Sequence, residues 1–119
     1  MIIVMRKDLG MRKGKMIAQG AHASMMFLTK RLRASSTVHL LPEEQEWIDG
    51  AFTKICVSVN SESELRELMS KAQFSNILVN EVIDSGKTEF NGVPTLTCAA
   101  FGPDIKEKLD PITGHLPLL

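Results

Sequence analysis

Four short apolar runs set the frame of this chain: MIIVM at Met1 to Met5, TKICVSV at Thr53 to Val59, ILVNEVI at Ile77 to Ile83 and TLTCAAF at Thr95 to Phe101. Each has the length of a strand, and Ile55, Val57 and Val59 alternate as a half-buried strand requires. Helical periodicity fills the gaps between them. From Lys13 to Leu32, residues Ile17, Ala21, Ser24 and Leu28 recur at three- and four-residue spacing and predict a stripe facing the core. Ser61 followed by Glu64 forms a capping box, and Leu65, Leu68, Met69 and Ala72 then supply a second apolar stripe. Glu43 to Gly50 reads as a short acidic helix around Trp47, and Asp104 to Leu109 as a short closing helix. Ala34 to Pro42 and Lys87 to Pro94 read as connections.

A chain of 119 residues is long enough for one domain with one core and too short for two domains. The order β-α-(α)-β-α-β-β-α therefore predicts a single α/β domain over residues 1–119, a four-stranded mixed β-sheet with helices packed on it. Parallel crossovers are expected where helices intervene, and an antiparallel pair between the last two strands. Cys56 and Cys98 lie inside apolar runs and are expected as buried thiols. No CxxC or HxxxH spacing suggests a disulfide framework or a metal site. Met1 to Met5 is too short for the apolar segment of a signal peptide, and no run has transmembrane length, so a cytoplasmic location is expected.

The formal net charge of zero conceals an asymmetry. Residues 1–33 carry eight Lys and Arg (Arg6, Lys7, Arg12, Lys13, Lys15, Lys30, Arg31 and Arg33) against Asp8, a net of +7, and the remainder carries −7. One basic face on a neutral body is the electrostatic form of a nucleic-acid binder. The bland alternative is a solvated surface with uneven charge.

Arg6, Lys7, Arg12, Lys13 and Lys15 crowd around a glycine-containing turn that opens the first helix. Cations, free N–H groups and the positive end of a helix dipole converge there, as at a phosphate site. On that helix Lys15, Gln19, His22 and Met26 fall within a narrow arc. A lone helical histidine is more often structural than catalytic, but here it stands in line with an ammonium and an amide. Far along the chain, DSGKT from Asp84 to Thr88 follows a strand and enters a glycine turn. Thr95 and Thr97 share one face of the next strand. An acid at a strand end can point into a ligand crevice, although Asp and Ser at turns commonly bond their own backbone. GKT is not a phosphate-binding P-loop, because Glu81 stands where that motif needs a glycine.

Together, RKDLGMRKGKMIAQGAHAS, DSGKTEFNGVPTLT, AAFGP and DPITGHLPLL resemble the archaeal/eukaryotic-type peptidyl-tRNA hydrolases, a family that also has bacterial members. The strings run in order over most of the chain, and their combination is highly specific. The resemblance implies a compact mixed-sheet α/β fold, commonly a homodimer, that cleaves the ester between a peptide and the terminal ribose of tRNA; that ester is already activated, so no metal or cofactor is expected. By position it places Lys15, Asp84 and Thr88 at the family's catalytic residues, and His22, Gln19 and Thr97 at positions lining or supporting that site. Two departures stand out. Pro94 replaces a common glycine in a longer Asn91 to Pro94 linker, and Arg33 to Ile48, with Trp47, matches the most studied members poorly.

The chemistry expected of such a site is an oriented water, an acceptor for its proton and a cation for the oxyanion. Asp84 is expected to orient and partly deprotonate the water with help from Thr88. Lys15 is expected to stabilise the oxyanion or the terminal phosphate, and His22 is a second candidate base or an orienting group. Arg6, Lys7, Arg12, Lys13, Gln19, Thr95 and Thr97 are the expected substrate-binding residues. The chain has no Tyr and few other aromatics, so tRNA is expected to be held through phosphates rather than by base stacking. The competing class is a non-catalytic tRNA- or protein-binding domain of the same fold. A more distant one is an enzyme acting on another tRNA-linked ester, such as a misacylated aminoacyl-tRNA.

Overall fold

A computed structural model describes residues 1–119. Four strands, β1 (Ile2–Arg6), β2 (Ile55–Val59), β3 (Val79–Asp84) and β4 (Thr95–Phe101), form one sheet in the order β2-β1-β4-β3. β1 and β2 pair in parallel, while β4 lies antiparallel to both β1 and β3. The mixed sheet and its final antiparallel pair are as expected.

Helix α1 (Lys13–Ala34) covers one face of the sheet, and α3 (Glu62–Phe74) and α4 (Lys106–Thr113) cover the other. α2 (Pro42–Asp49) adds Trp47 and Ile48 to the α1 side. On the α1 face Ile3, Met5, Ala23, Phe27, Val82 and Cys98 pack together. On the other, Val4, Val57, Leu65, Leu68, Phe101 and Leu109 form the larger core. This two-sided burial explains why β1 and β4 read as continuous apolar runs instead of alternating.

Local chemistry sets the element ends. Ser61 Oγ accepts the Glu64 N–H at 3.1 Å, while the Glu64 carboxylate accepts from Asn60 N–H at 2.7 Å, so the capping box closes one residue upstream of its usual backbone partner. Pro42 begins α2, and the buried Glu44 carboxylate accepts from both Leu41 N–H and Arg31, tying α2 to α1. β3 starts two residues later than expected, because Asn76 adopts a left-handed turn (φ 56°) and Ile77 N–H caps the Ala72 carbonyl. α4 starts later and runs on to Thr113 through Pro111, which cannot donate to the Glu107 carbonyl one turn before it.

Two expectations fail. Ile17 is 73% exposed, and the buried residues of α1 are Gln19, Ala23 and Phe27, so the helix is rolled away from the expected stripe of Ile17, Ala21, Ser24 and Leu28. Cys56 is exposed, because β2 lies at the sheet margin and α1 packs on β4, β3 and β1. Cys98 is buried as expected, and burial pushes its thiol up to about 12.

The other margin of β2 is occupied by Pro117–Leu119. Ser58 N–H bonds the Pro117 carbonyl at 2.9 Å, Leu119 N–H bonds the Cys56 carbonyl at 3.1 Å, and Leu118 bridges Val57 antiparallel.

Phe101 is fully buried at the centre of the larger core. Phe101→Ala is expected to lower unfolding free energy by about 3–5 kcal/mol in urea titration. A loss under 1 kcal/mol would show that the core closes around the void.

Candidate active site

β4 carries an irregularity that organises the site. Val82 pairs with Cys98 but Ile83 pairs with Leu96, leaving Thr97 as an extra residue in β4. A bulge of this kind turns two consecutive side chains toward one face. Thr97 and Cys98 accordingly both meet α1: Gln19 Nε2 donates to Thr97 Oγ1 at 2.9 Å, and the Cys98 thiol donates to the Gln19 carbonyl at 3.5 Å. Thr97 Oγ1 in turn donates to the Val82 carbonyl at 3.3 Å. Gln19 is only 3% exposed, so its bond to Thr97 satisfies an amide that burial would otherwise penalise.

One turn toward the start of α1, Lys15 reaches the end of β3. Its Nζ donates to Asp84 Oδ1 at 2.6 Å and to Thr88 Oγ1 at 3.2 Å, across 69 and 73 residues of sequence. The Lys15 and Asp84 side chains are 16% and 12% exposed, a partly sheltered ion pair at a solvent-facing rim. The second Asp84 oxygen accepts from Gly86 N–H at 2.9 Å, so this residue both makes an Asx turn and faces the lysine. Gly86 permits that turn: its φ is +81°, and a Cβ there would lie 2.4 Å from the Val93 carbonyl oxygen.

The N-cap of α1, Arg12, provides no side-chain cap, and the first turn holds no acid. A lysine there opposes the helix dipole, and the carboxylate of Asp84 compensates it. The Lys15 hydrogen bond, followed by that from Gly86 and the positive fields of Lys15 and His22, holds the Asp84 carboxyl below its ordinary range against the opposing effect of burial. His22 is exposed at the same rim.

The remaining candidates divide by exposure. Lys7 and Lys13 are exposed, and Arg12 is largely exposed while pairing with Glu89 at 3.6 Å. Arg6 is buried, with its guanidinium held by Asp8 at 2.6 Å and by the Leu96 carbonyl at 3.0 Å, which leaves it a strut inside the sheet end. Thr97 and Gln19 are buried beneath the site and support it from below. Thr95 is half-buried, and its hydroxyl donates to the Val93 carbonyl at 2.8 Å. The Glu89 partner of Arg12 carries no signal in the sequence, and the Arg6–Asp8 pair is readable only from the two-residue spacing between the end of β1 and the following loop.

The family model described as "Peptidyl-tRNA hydrolase PTH2" matches residues 1–119. A protein of Methanocaldococcus jannaschii named peptidyl-tRNA hydrolase is 42% identical over 120 residues, covering 100% of this chain and 98% of its own length. One of Thermoplasma acidophilum with the same name is 41% identical, covering 100% and 97%. Another of Saccharolobus islandicus is 36% identical over 119 residues, covering 100% and 98%.

Thr97→Val removes the hydroxyl that receives Gln19, leaving a buried amide unpaired. It is expected to destabilise the fold by about 1–3 kcal/mol in chemical denaturation, with Thr97→Ser retaining most of the stability. Equal losses in both variants would remove the hydrogen bond as the cause. The Asp84 ion pair has its own signature. Its lowered carboxyl favours the folded state above about pH 4, and that contribution is lost as pH falls through the lowered value. The stability gap between the unaltered protein and Asp84→Asn should therefore close as pH is taken from about 5 to 2. A gap independent of pH would show that the pair adds nothing.

Proposed function

Because the chain belongs to the peptidyl-tRNA hydrolase PTH2 family, it is an ester hydrolase acting on peptidyl-tRNA, and we propose that Lys15, Asp84, Thr88 and His22 carry the reaction. The observation that supports this most is the 2.6 Å contact between Lys15 and Asp84, two groups brought together from opposite parts of the chain. A non-catalytic binding domain has no need of a carboxylate beside its anion site, and family membership does not favour that alternative.

The attacked bond joins the peptide carbonyl to a ribose oxygen. Lys15 has three N–H donors, two of them engaged by Asp84 and Thr88. The third is free for the oxygen that becomes negative when water attacks the carbonyl. Asp84 retains lone pairs beyond those bonded to Lys15 and Gly86, and with Thr88 it orients the water. A carboxylate held below its ordinary range is a weak proton acceptor, so its main part is to hold and polarise the water. His22, at the rim, takes the proton and returns it to the leaving ribose oxygen, which balances the step. Lys7, Arg12 and Lys13 hold phosphates near the 3′ end, assisted by the uncapped N-terminus of α1.

The same reading includes a homodimer and a cytoplasmic site of action. Ile17, Met16, Gly20 and Ala21 of α1 border an apolar groove of about 510 Å³ that reaches β1 and β2, a surface suited to burial against a second copy. No helix is long and apolar enough to cross a membrane, and translation supplies the substrate.

Release of tRNA from N-blocked aminoacyl-tRNA, compared with free aminoacyl-tRNA, tests the activity and the residue roles together. The blocked substrate is expected to be hydrolysed far faster. Lys15→Ala and Asp84→Asn are each expected to lower kcat by about 10²–10⁴-fold. Undiminished turnover by Asp84→Asn ends the role given to it, and preference for the free substrate points to a different tRNA-linked ester.

A further inference from the structure

The reaction proposed above leaves part of α1 unexplained. Residues 15, 19, 22, 26, 29, 30 and 33 fall within an arc of about 100° around the helix at ~100° per residue, with Arg33 at the same azimuth as Lys15. The stripe therefore leads from the ion pair at the N-terminus to Lys30 and Arg33 near the C-terminus. At about 1.5 Å rise per residue these two stand about 22 and 27 Å from Lys15 along the axis.

Lys30 and Arg33 are exposed and make no ion pair, unlike Arg31 between them, which is bound to Glu44 at 2.8 Å. With His22, Met25, Met26 and Thr29 they line a hollow of about 290 Å³ along the flank of the helix. Lys30 also borders a second hollow toward α3, where Arg66 is already paired with Glu62 and Glu81. The path thus begins at His22, near Asp84, and ends at the cations Lys30 and Arg33. Complementing the helix dipole accounts for basic residues in the last turn. It does not account for two free cations aligned with the catalytic lysine.

We propose that this flank of α1 is a track for the tRNA backbone, with Lys30 and Arg33 binding phosphates of the acceptor stem while the ester lies at Lys15. The inference rests on the substrate reading above. A stacked strand advances about 3.4 Å per nucleotide, so 22–27 Å corresponds to about six to eight nucleotides. That passes beyond the unpaired 3′ end into the first base pairs. Between the cations at its far end and His22, the hollow offers the imidazole and the thioethers of Met25 and Met26 to the single-stranded segment. Phosphate contacts carry no sequence information, so the track fits the stem of any tRNA.

The test is the double variant Lys30→Glu/Arg33→Glu in the full chain, with Lys71→Glu on α3 as a charge-reversal control on another face. Two substrates are used: an N-blocked aminoacyl-tRNA and the same blocked aminoacyl ester on adenosine alone. On the tRNA, kcat/KM is expected to fall about 10–100-fold through KM, with kcat retained and the slope of log KM against log salt reduced by about one to two. On the adenosine ester the double variant should match the unaltered protein, and Lys71→Glu should match it on both. Unchanged KM for tRNA, an equal loss on both esters, or an equal loss in Lys71→Glu each overturns the track. Binding of deacylated tRNA, read by fluorescence anisotropy, separates this inference from the hydrolase assignment. It should weaken in the double variant even if neither ester is cleaved, and unchanged binding overturns the track whatever the activity.

Discussion

The buried hydrogen bond between Gln19 and Thr97 fixes the rotation of α1, and the rest of the site follows from that rotation. An amide inside a helix-sheet interface is costly unless paired, so the helix settles where Gln19 meets the hydroxyl raised by the β4 bulge. Lys15 lies one turn away on the same stripe and is delivered to Asp84 at the end of β3. The same rotation turns Ile17 outward and leaves an apolar groove on the opposite flank. A polar contact thus decides where the apolar residues of this helix go, the reverse of the usual order.

The ion pair above that contact is preorganised from several directions. Gly86 can adopt its turn only without a side chain, and the turn aims one Asp84 oxygen at its own backbone and the other at Lys15. Thr88 steadies the ammonium from the same loop. The pair is sheltered enough to hold its geometry and open enough for water and substrate to reach it. In the proposed reaction, donors fixed before the substrate arrives would not need to reorganise as charge develops, which is where such a site gains over bulk water.

Much of this was legible in the sequence. The four apolar runs, the capping box at Ser61 and the alternation of helix and strand led to a mixed sheet with helices packed on it. The stripe of Lys15, Gln19 and His22 and the DSGKT turn marked the groups that the fold assembles. What remained hidden depends on tertiary position. Periodicity chose Ile17, Ala21, Ser24 and Leu28 as the buried stripe because it ranks residues by hydrophobicity and knows nothing of Gln19 finding a partner in β4. Cys56 looked buried because its run is apolar, while strand order, which decides whether a helix covers it, is not written locally. Arg6 belonged by composition to the basic cluster, but Asp8 and the Leu96 carbonyl draw it inward.

The segment Pro117–Leu119 lies along β2 and engages its backbone, as a fragment of a fifth strand would. Open sheet margins invite neighbouring molecules to add on strand by strand, a route to fibrils and misassembly. Here a few residues occupy the amide and carbonyl that such growth would recruit. Leu119 also lines the groove beside Ile17, so the segment that hinders extension of the sheet beyond β2 joins that margin to an apolar surface open to side-chain contacts.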